Sequence, residues 1–485
     1  MEEKREVSRE KVIGSLGWSF AERILAQLVS TVVGIVLARV LSPDDYGIVS
    51  VVMIFITVCN LFVSSGFGTA IVQKKEVDKR DFDTAFILSF AMSLVLYGVL
   101  FFGAPAIAAF YDMSQLIPVI RVLGVRIVLT SLNNIQQAHI QREMRFKSYF
   151  YATITGTVLS CGVGIAMAFS GYGVWALVAQ YLTNTTVGSI VMLFVCKWRP
   201  GLGFSANKAK EIYSFGWKVL CTELVYTTDA NVRGLLVGKV FGPADLAYYE
   251  QGQKYPSLLV TNVNATIQKV MLPTFSRRQD DLNSLKSALR RSIQIGAFLL
   301  CPLLVGLTVV SNNFVNVLLT EKWLPAVPYV CVFCMSYMTR PLESACHQAL
   351  LAIGRSGLVF WIMLAINATG LLATVIAVFV LKSVLWIAIF SLLTTIVSLI
   401  CFLVATNRLI DYRLKEQISD ILPTVLISAA MGVAAFMVGC IPGSPLVILV
   451  GQIIVGVACY VLLACLVKPE PFVYICNTIA LLRRK

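Results

Sequence analysis

Charge is scarce in this chain: Asp, Glu, Lys and Arg make up only 14% of its 485 residues. Soluble globular proteins carry about 25%, so a water-soluble class is excluded at the outset. Histidine is scarcer still, with two in the whole chain, and nothing has the spacing of a metal-ligand set. The pair Cys331 and Cys334 has redox-like spacing but sits in an apolar run, where packing is the better reading. No Gly-rich phosphate loop and no nucleophile elbow occurs. The stretches between apolar runs are short and leave no room for a soluble catalytic domain. The chain therefore reads as a non-enzyme with no cofactor, and ATP hydrolysis within it is excluded as an energy source. The N-terminal MEEKREVSRE is mixed in charge and no small-residue cleavage site follows, so the first apolar segment is expected to stay in the membrane.

What the chain has in excess is apolar length. Hydrophobic residues make up 58% of it, and the mean hydropathy is +0.80. Runs such as FILSFAMSLVLYGVLFFGAPAIAAF exceed the roughly 20 residues that cross a bilayer as a helix. Apolar runs divided by charged breaks predict an all-α integral membrane protein of about fourteen helices. They fall near 12–40, 44–67, 83–107, 115–138, 148–170, 173–196, 211–240, 245–272, 289–311, 325–350, 357–380, 384–405, 418–440 and 446–467.

The charges that remain are unevenly placed. Of the 40 Lys and Arg, 28 fall in the N-terminus and on its side of this map; only Arg39, Lys239, Lys322 and Lys382 fall opposite. By the positive-inside rule both termini are cytoplasmic. The same rule accounts for the net charge of +14 without nucleic acid.

One phrase occurs twice. SLGW at 15–18 returns as SFGW at 214–217, and RVLSPDD at 39–45 returns as KVFGPAD at 239–245. The first and seventh spans are thus copies running in one direction, and two six-helix lobes related by a pseudo-twofold axis along the membrane normal are expected. The expected divisions are 1–200 for the first lobe, 201–410 for the second, and 411–485 for two added spans and a cytoplasmic tail. Ser42 can cap the second helix, with Pro43 at its first position and Asp45 three residues after the cap; Gly242, Pro243 and Asp245 repeat the scheme.

Polar residues inside the spans share helix faces. The first span carries Ser19, Arg23, Gln27, Ser30 and Gly34 as one stripe; the eighth carries Glu250, Lys254, Ser257, Thr261, Asn264 and Gln268. The fourth offers Arg126, Thr130, Asn133 and Gln137, the seventh Asp229 and Arg233, the tenth Arg340, Glu343 and His347. A Ser, Thr or Asn in such a stripe is most simply interhelical glue. A buried cation is different: each costs ~2.5–3.5 kcal/mol near the centre of a lipid-facing helix, and such residues mark pathways. Arg23, Gln27, Arg126, Arg233, Lys254 and Arg340 are accordingly the candidate anion-binding set, in a cationic cavity between the lobes suited to phosphate. Glu250, Glu343 and His347 are candidate ion-coupling groups, with structural pairing to Lys254 or Arg340 an equal reading.

Several phrases together, LARVLSPDDYGIV (37–49), GFGTAIVQKKEVD (66–78), QREMRFK (141–147), GPADLAYYEQGQK (242–254), LLTEKWLPAVP (318–328) and LLAIGRSGL (350–358), carry a resemblance covering nearly the whole chain. The chain resembles the bacterial polysaccharide transporters of the multidrug/oligosaccharidyl-lipid/polysaccharide flippase superfamily. Within them it is similar to the Wzx-type flippases of the colanic-acid-exporter-like branch. The resemblance implies a MATE-like fold and an undecaprenyl-diphosphate-linked oligosaccharide as cargo. It implies transfer from the cytoplasmic to the periplasmic leaflet of the inner membrane, for exopolysaccharide, O-antigen or capsule assembly. Membrane lipids and the polysaccharide polymerase or export machinery are the implied partners. Two alternatives stand beside this. A multidrug exporter of the same superfamily would prefer an acidic cavity for its cationic drugs; a membrane-embedded polymerase or ligase would need a sizeable outer loop.

Overall fold

The computed structural model describes residues 9–64, 66–74, 76–143, 145–196, 198–201, 203–276 and 281–483. Every element among them is helical. By their internal contacts they form two compact units, residues 1–247 and 248–485.

The first unit contains α1 (Arg9–Val40), α2 (Pro43–Ser64), the short α3 (Phe67–Gln73), α4 (Lys79–Tyr111), α5 (Leu116–Glu143), α6 (Phe146–Phe169), α7 (Val174–Val195) and α8 (Ala206–Val240). Helix α6 packs on α1 and α7, α5 on α4, α2 and α7, and α8 against α2, α3 and α4. One core gathers Phe67, Ile71, Phe82, Ile135, Trp198 and Ile212 beside α3.

The second unit holds most of α9 (Pro243–Ser276), then α10 (Leu282–Leu319), a 3₁₀ turn (Glu321–Ala326), α11 (Val327–Met338), α12 (Arg340–Ala352), α13 (Ser356–Phe379), α14 (Val384–Ile410), α15 (Leu414–Gly439), α16 (Pro445–Val467) and α17 (Glu470–Arg483). Helix α10 is its hub, packing on α11, α12, α15 and α16.

Among the described residues, eleven helical segments are long and apolar enough to span a membrane. Both units also expose large apolar side chains, among them Phe102, Phe194, Val380 and Leu466. Such surface belongs against lipid. The other three expected spans coincide with α8, α9 and the pair α11–α12. Helices α8 and α9 have 35 and 34 residues. Both carry charged stripes and include undescribed side chains. The span expected at 325–350 is broken instead of continuous, because Pro341 has no N–H to donate to the Tyr337 carbonyl. The break sets Arg340 in the first turn of α12.

The repeated turns are helix starts, as the residues require. The Ser42 hydroxyl accepts from the Asp45 N–H at 3.1 Å, and the Asp45 carboxylate accepts from the Ser42 N–H at 3.0 Å, a reciprocal cap. The second copy differs. Gly242 has no side-chain oxygen and turns the chain at φ 99°, a left-handed conformation that glycine tolerates. The two turns also meet: a Cβ on Gly47 would stand 1.9 Å from the Pro243 carbonyl oxygen, so backbone touches backbone. Below the turn, Lys239 Nζ lies 2.7 Å from Asp112 at the end of α4, and the Tyr111 hydroxyl donates to the Leu235 carbonyl at 3.2 Å.

Candidate functional site

Within the first unit, Arg126 is half-buried on α5. Its Nε donates to the Thr185 hydroxyl of α7 at 3.0 Å, one terminal nitrogen lies 3.4 Å from the Met53 sulfur of α2, and the guanidinium sits 5.3 Å from the Tyr181 ring centre. No carboxylate pairs with it among the described residues. A positive charge is thus fixed by a hydroxyl, a thioether and an aromatic face, none of which neutralises it. Its nearest counterpart in role, Arg233, is bound by Asp229 one turn earlier on α8, and both side chains are largely buried. That charge is spent locally. Arg121 likewise serves structure, donating to the Phe101 carbonyl at 3.4 Å with its guanidinium 4.6 Å from the same residue's ring.

Arg23 is exposed on α1 and makes no ion pair among the described residues. Gln27, a turn later, donates to the Thr31 hydroxyl at 3.4 Å. Ser19 and Gln268, members of the expected stripes, have side chains outside the described residues.

In the second unit, Lys254 is half-buried on α9 with its ammonium 5.9 Å from the Tyr255 ring centre, and Glu250 lies one turn before it. Arg340 is half-exposed; a terminal nitrogen is 3.8 Å from Glu343 and its guanidinium 5.7 Å from the Tyr337 ring centre. Glu343 is buried and accepts from the Ser398 hydroxyl of α14 at 2.6 Å. His347 rests edge-on against Phe402, 5.8 Å between ring centres. The tenth-span trio is therefore one connected patch, Arg340 to Glu343 to Ser398, with His347 a turn away. Among the described residues no cluster of His, Cys, Asp and Glu has metal-site geometry.

Two networks went unseen in the sequence. At one end of the first unit Lys74 bridges Asp81 at 3.0 Å and Glu211 at 2.8 Å, while Lys208 reaches Asp78 and, at 3.1 Å, Asp81. These contacts fasten the start of α8 to α4, with the Lys208 ammonium holding the Asp78 carboxyl well below the usual carboxylate range. In the second unit Arg290 grips Asp420 through two nitrogens at 2.7 and 2.5 Å, and the Tyr412 hydroxyl donates to the same carboxylate at 2.5 Å. The only local signal was the D-x-x-D cap of α4, where Asp78 and Asp81 accept from each other's backbone N–H at 2.9 Å. Apart from Lys74 with Asp81 and Tyr412 with Asp420, the partners lie more than 100 residues apart in the chain. A hollow of about 480 Å³ in the first unit, lined by Phe55, Phe110, Tyr111, Leu235 and Lys239 among others, is almost wholly apolar and contains none of the candidate residues.

The fold is one shared with solved membrane transporters. Its structure matches the lipid II flippase MurJ in its inward closed conformation with a TM-score of 0.76, at 14% identity over 94% of this chain and 99% of that one. It matches an inward-facing multidrug resistance MATE transporter with a TM-score of 0.64, at 16% identity over 80% and 94%. Within that fold, residues 36–328 identify the chain as a member of the polysaccharide biosynthesis protein family. Among its relatives, the teichuronic acid biosynthesis protein TuaB of Bacillus subtilis is 27% identical over 78% of both chains. The lipopolysaccharide biosynthesis protein WzxC of Escherichia coli is 23% identical over 73% of this chain and 72% of its own length. The succinoglycan biosynthesis transport protein ExoT of Rhizobium meliloti is 22% identical over 76% and 75%. The resemblance drawn from the quoted phrases is borne out.

Proposed function

We propose that this protein is a flippase that moves an undecaprenyl-diphosphate-linked oligosaccharide from the cytoplasmic to the periplasmic leaflet of a bacterial inner membrane by alternating access. What carries the reading is Arg126: a half-buried guanidinium held by Thr185, Tyr181 and Met53 with no counter-charge described. An anion binder needs a cation whose charge is still available, and a planar fork of donors suits phosphate. Lys254 and Arg340, the latter also 3.8 Å from Glu343, are the proposed cations of the second unit, and Arg23 and Gln27 complete the proposed set. Arg233 serves instead as a support for Asp229. The family membership supports the polysaccharide precursor, and the excess of interior cations weighs against a carrier of cationic drugs.

The proposed architecture has fourteen spans, counting α8, α9 and α11–α12, with lobes divided at 200 and 410, two added spans to 485, and both termini cytoplasmic. Glu250, Glu343 and His347 are the proposed coupling groups for an ion gradient; polymerase or export proteins would receive the product.

Proteoliposomes loaded with lipid-linked oligosaccharide test the reading. Arg126→Ala is expected to lower the initial transfer rate by at least tenfold, since a charge-assisted hydrogen bond contributes about 1.5–3 kcal/mol. Arg126→Lys should recover part of that loss. Transfer by Arg126→Ala at the wild-type rate removes the assignment.

A further inference from the structure

The second unit has a polar cleft apart from the candidate cargo residues. It holds about 390 Å³ and is walled by the start of α10, the end of α16 and the start of α17, with Arg291, Gln294, Lys468, Glu470, Tyr474 and Asn477 supplying its polar lining. Its cations are the point of interest. The neighbouring Arg290 is committed to Asp420. Gln294 is buried and divides its amide between Asp420 at 3.3 Å and Glu470 at 3.1 Å, which engages the cleft's own carboxylate.

Arg291 and Lys468 remain. The Arg291 guanidinium lies 4.8 Å from the Tyr474 ring centre and has no acidic partner among the described residues. Lys468 has none either. It closes α16 as a non-glycine residue at φ 48°, its N–H bonded to the Ala464 carbonyl at 2.9 Å. The chain thus spends left-handed backbone on a lysine where glycine is the usual choice, and that turn brings Lys468 into the cleft wall. Ile295, Pro471 and Val473 complete the lining with apolar surface. Along α16, Leu462, Leu466 and Val467 are 59%, 71% and 54% exposed, an apolar strip leading away from Lys468. Two available cations above such a strip match a molecule with an anionic head and hydrocarbon chains. They match neither a free ion nor a soluble anion equally well, since those would leave the strip unused. Earlier on α10, Lys286 is paired with Glu416 at 2.6 Å and adds no available charge.

We propose that this cleft binds the phosphodiester head group of an anionic membrane phospholipid, with Arg291 and Lys468 as its two cations and the exposed face of α16 carrying the acyl chains. The site is separate from the proposed cargo site and does not depend on it.

The full chain, purified in a neutral detergent, is examined by native mass spectrometry and by thermal melting with added phosphatidylglycerol, phosphatidylcholine, or glycerol 3-phosphate with inorganic phosphate. Phosphatidylglycerol is expected to be retained preferentially over phosphatidylcholine and to raise the melting temperature. Arg291→Gln and Lys468→Gln are each expected to lower that preference about fivefold, the effect of one cation near an anionic lipid surface. Arg291→Lys should keep most of it, which separates loss of the cation from loss of folding in Arg291→Gln. Equal retention of the two lipids, an unchanged preference in both Gln variants, or equal stabilisation by the soluble phosphates overturns the proposal.

Discussion

Replacing Asp81 with asparagine isolates the charge that holds α8 to α4. The Asp81 side chain is only 3% exposed and receives two ammonium groups, Lys74 at 3.0 Å and Lys208 at 3.1 Å. Asparagine retains an oxygen to accept the Asp78 N–H, so the cap of α4 survives while the charge is lost. Two unit charges 3 Å apart attract by about 5 kcal/mol at an effective dielectric of ~20. Most of that is offset by desolvation, and both lysines keep about a quarter of their side-chain surface in solvent, 25% and 24%. A net loss of about 2 kcal/mol follows, near the value for charge-assisted hydrogen bonds. The neighbouring Glu211, whose side chain is 60% exposed, accepts from the same Lys74 at 2.8 Å and should be worth less than about 1 kcal/mol. Denaturant titration in mixed micelles, followed by a thiol-reactive dye on the buried cysteines, compares Asp81→Asn with Glu211→Gln. If the two variants unfold at the same denaturant concentration, the network is not organised around Asp81 and the reasoning fails.

Gly47→Val is expected to cost at least about 2–3 kcal/mol, because a Cβ there would meet the Pro243 carbonyl at 1.9 Å and only backbone movement relieves the overlap; expression yield and melting temperature read it out, and a wild-type melting temperature refutes the contact between the turns. Stability should be flat across neutral pH and fall at both ends. Asp78, lowered by its bond to Lys208, contributes above its unfolded value near 4 and loses that contribution as pH drops through its folded value. Lys74, raised chiefly by its bond to Glu211, contributes below its unfolded value near 10.4 and loses it as pH climbs through its folded value. Asp78 is well exposed, 59% of its side chain, so melting in 1 M salt should flatten the acid limb; an acid limb unaltered in Asp78→Asn assigns it to other groups.

Much of this molecule was legible without coordinates because its strongest signals are local. An apolar run long enough to cross lipid must form a helix there, since no other backbone satisfies its own polar groups, and the eleven candidate spans among the described residues fall on expected ones. Ser42 and Asp45 cap each other across three residues, so spacing alone announced that cap. The fracture of the tenth span at Pro341 was written in one residue yet overridden by the hydropathy of its neighbours.

Tertiary structure decided what each charge is for. Arg126 and Arg233 look alike in a hydropathy plot, but α7 supplies a hydroxyl to one while a carboxylate on its own helix cancels the other. Lys74, Lys208 and Arg290 counted in the sequence only as inward-facing positive charge. Packing turned them into ties by bringing Asp81, Glu211 and Asp420 within reach across long separations in the chain. The repeated turn identified two copies of one hairpin. That the copies meet backbone to backbone, Gly47 against Pro243, depends on how α2 and α8 pack, and helix packing is set by complementary surfaces that no stretch of sequence contains alone.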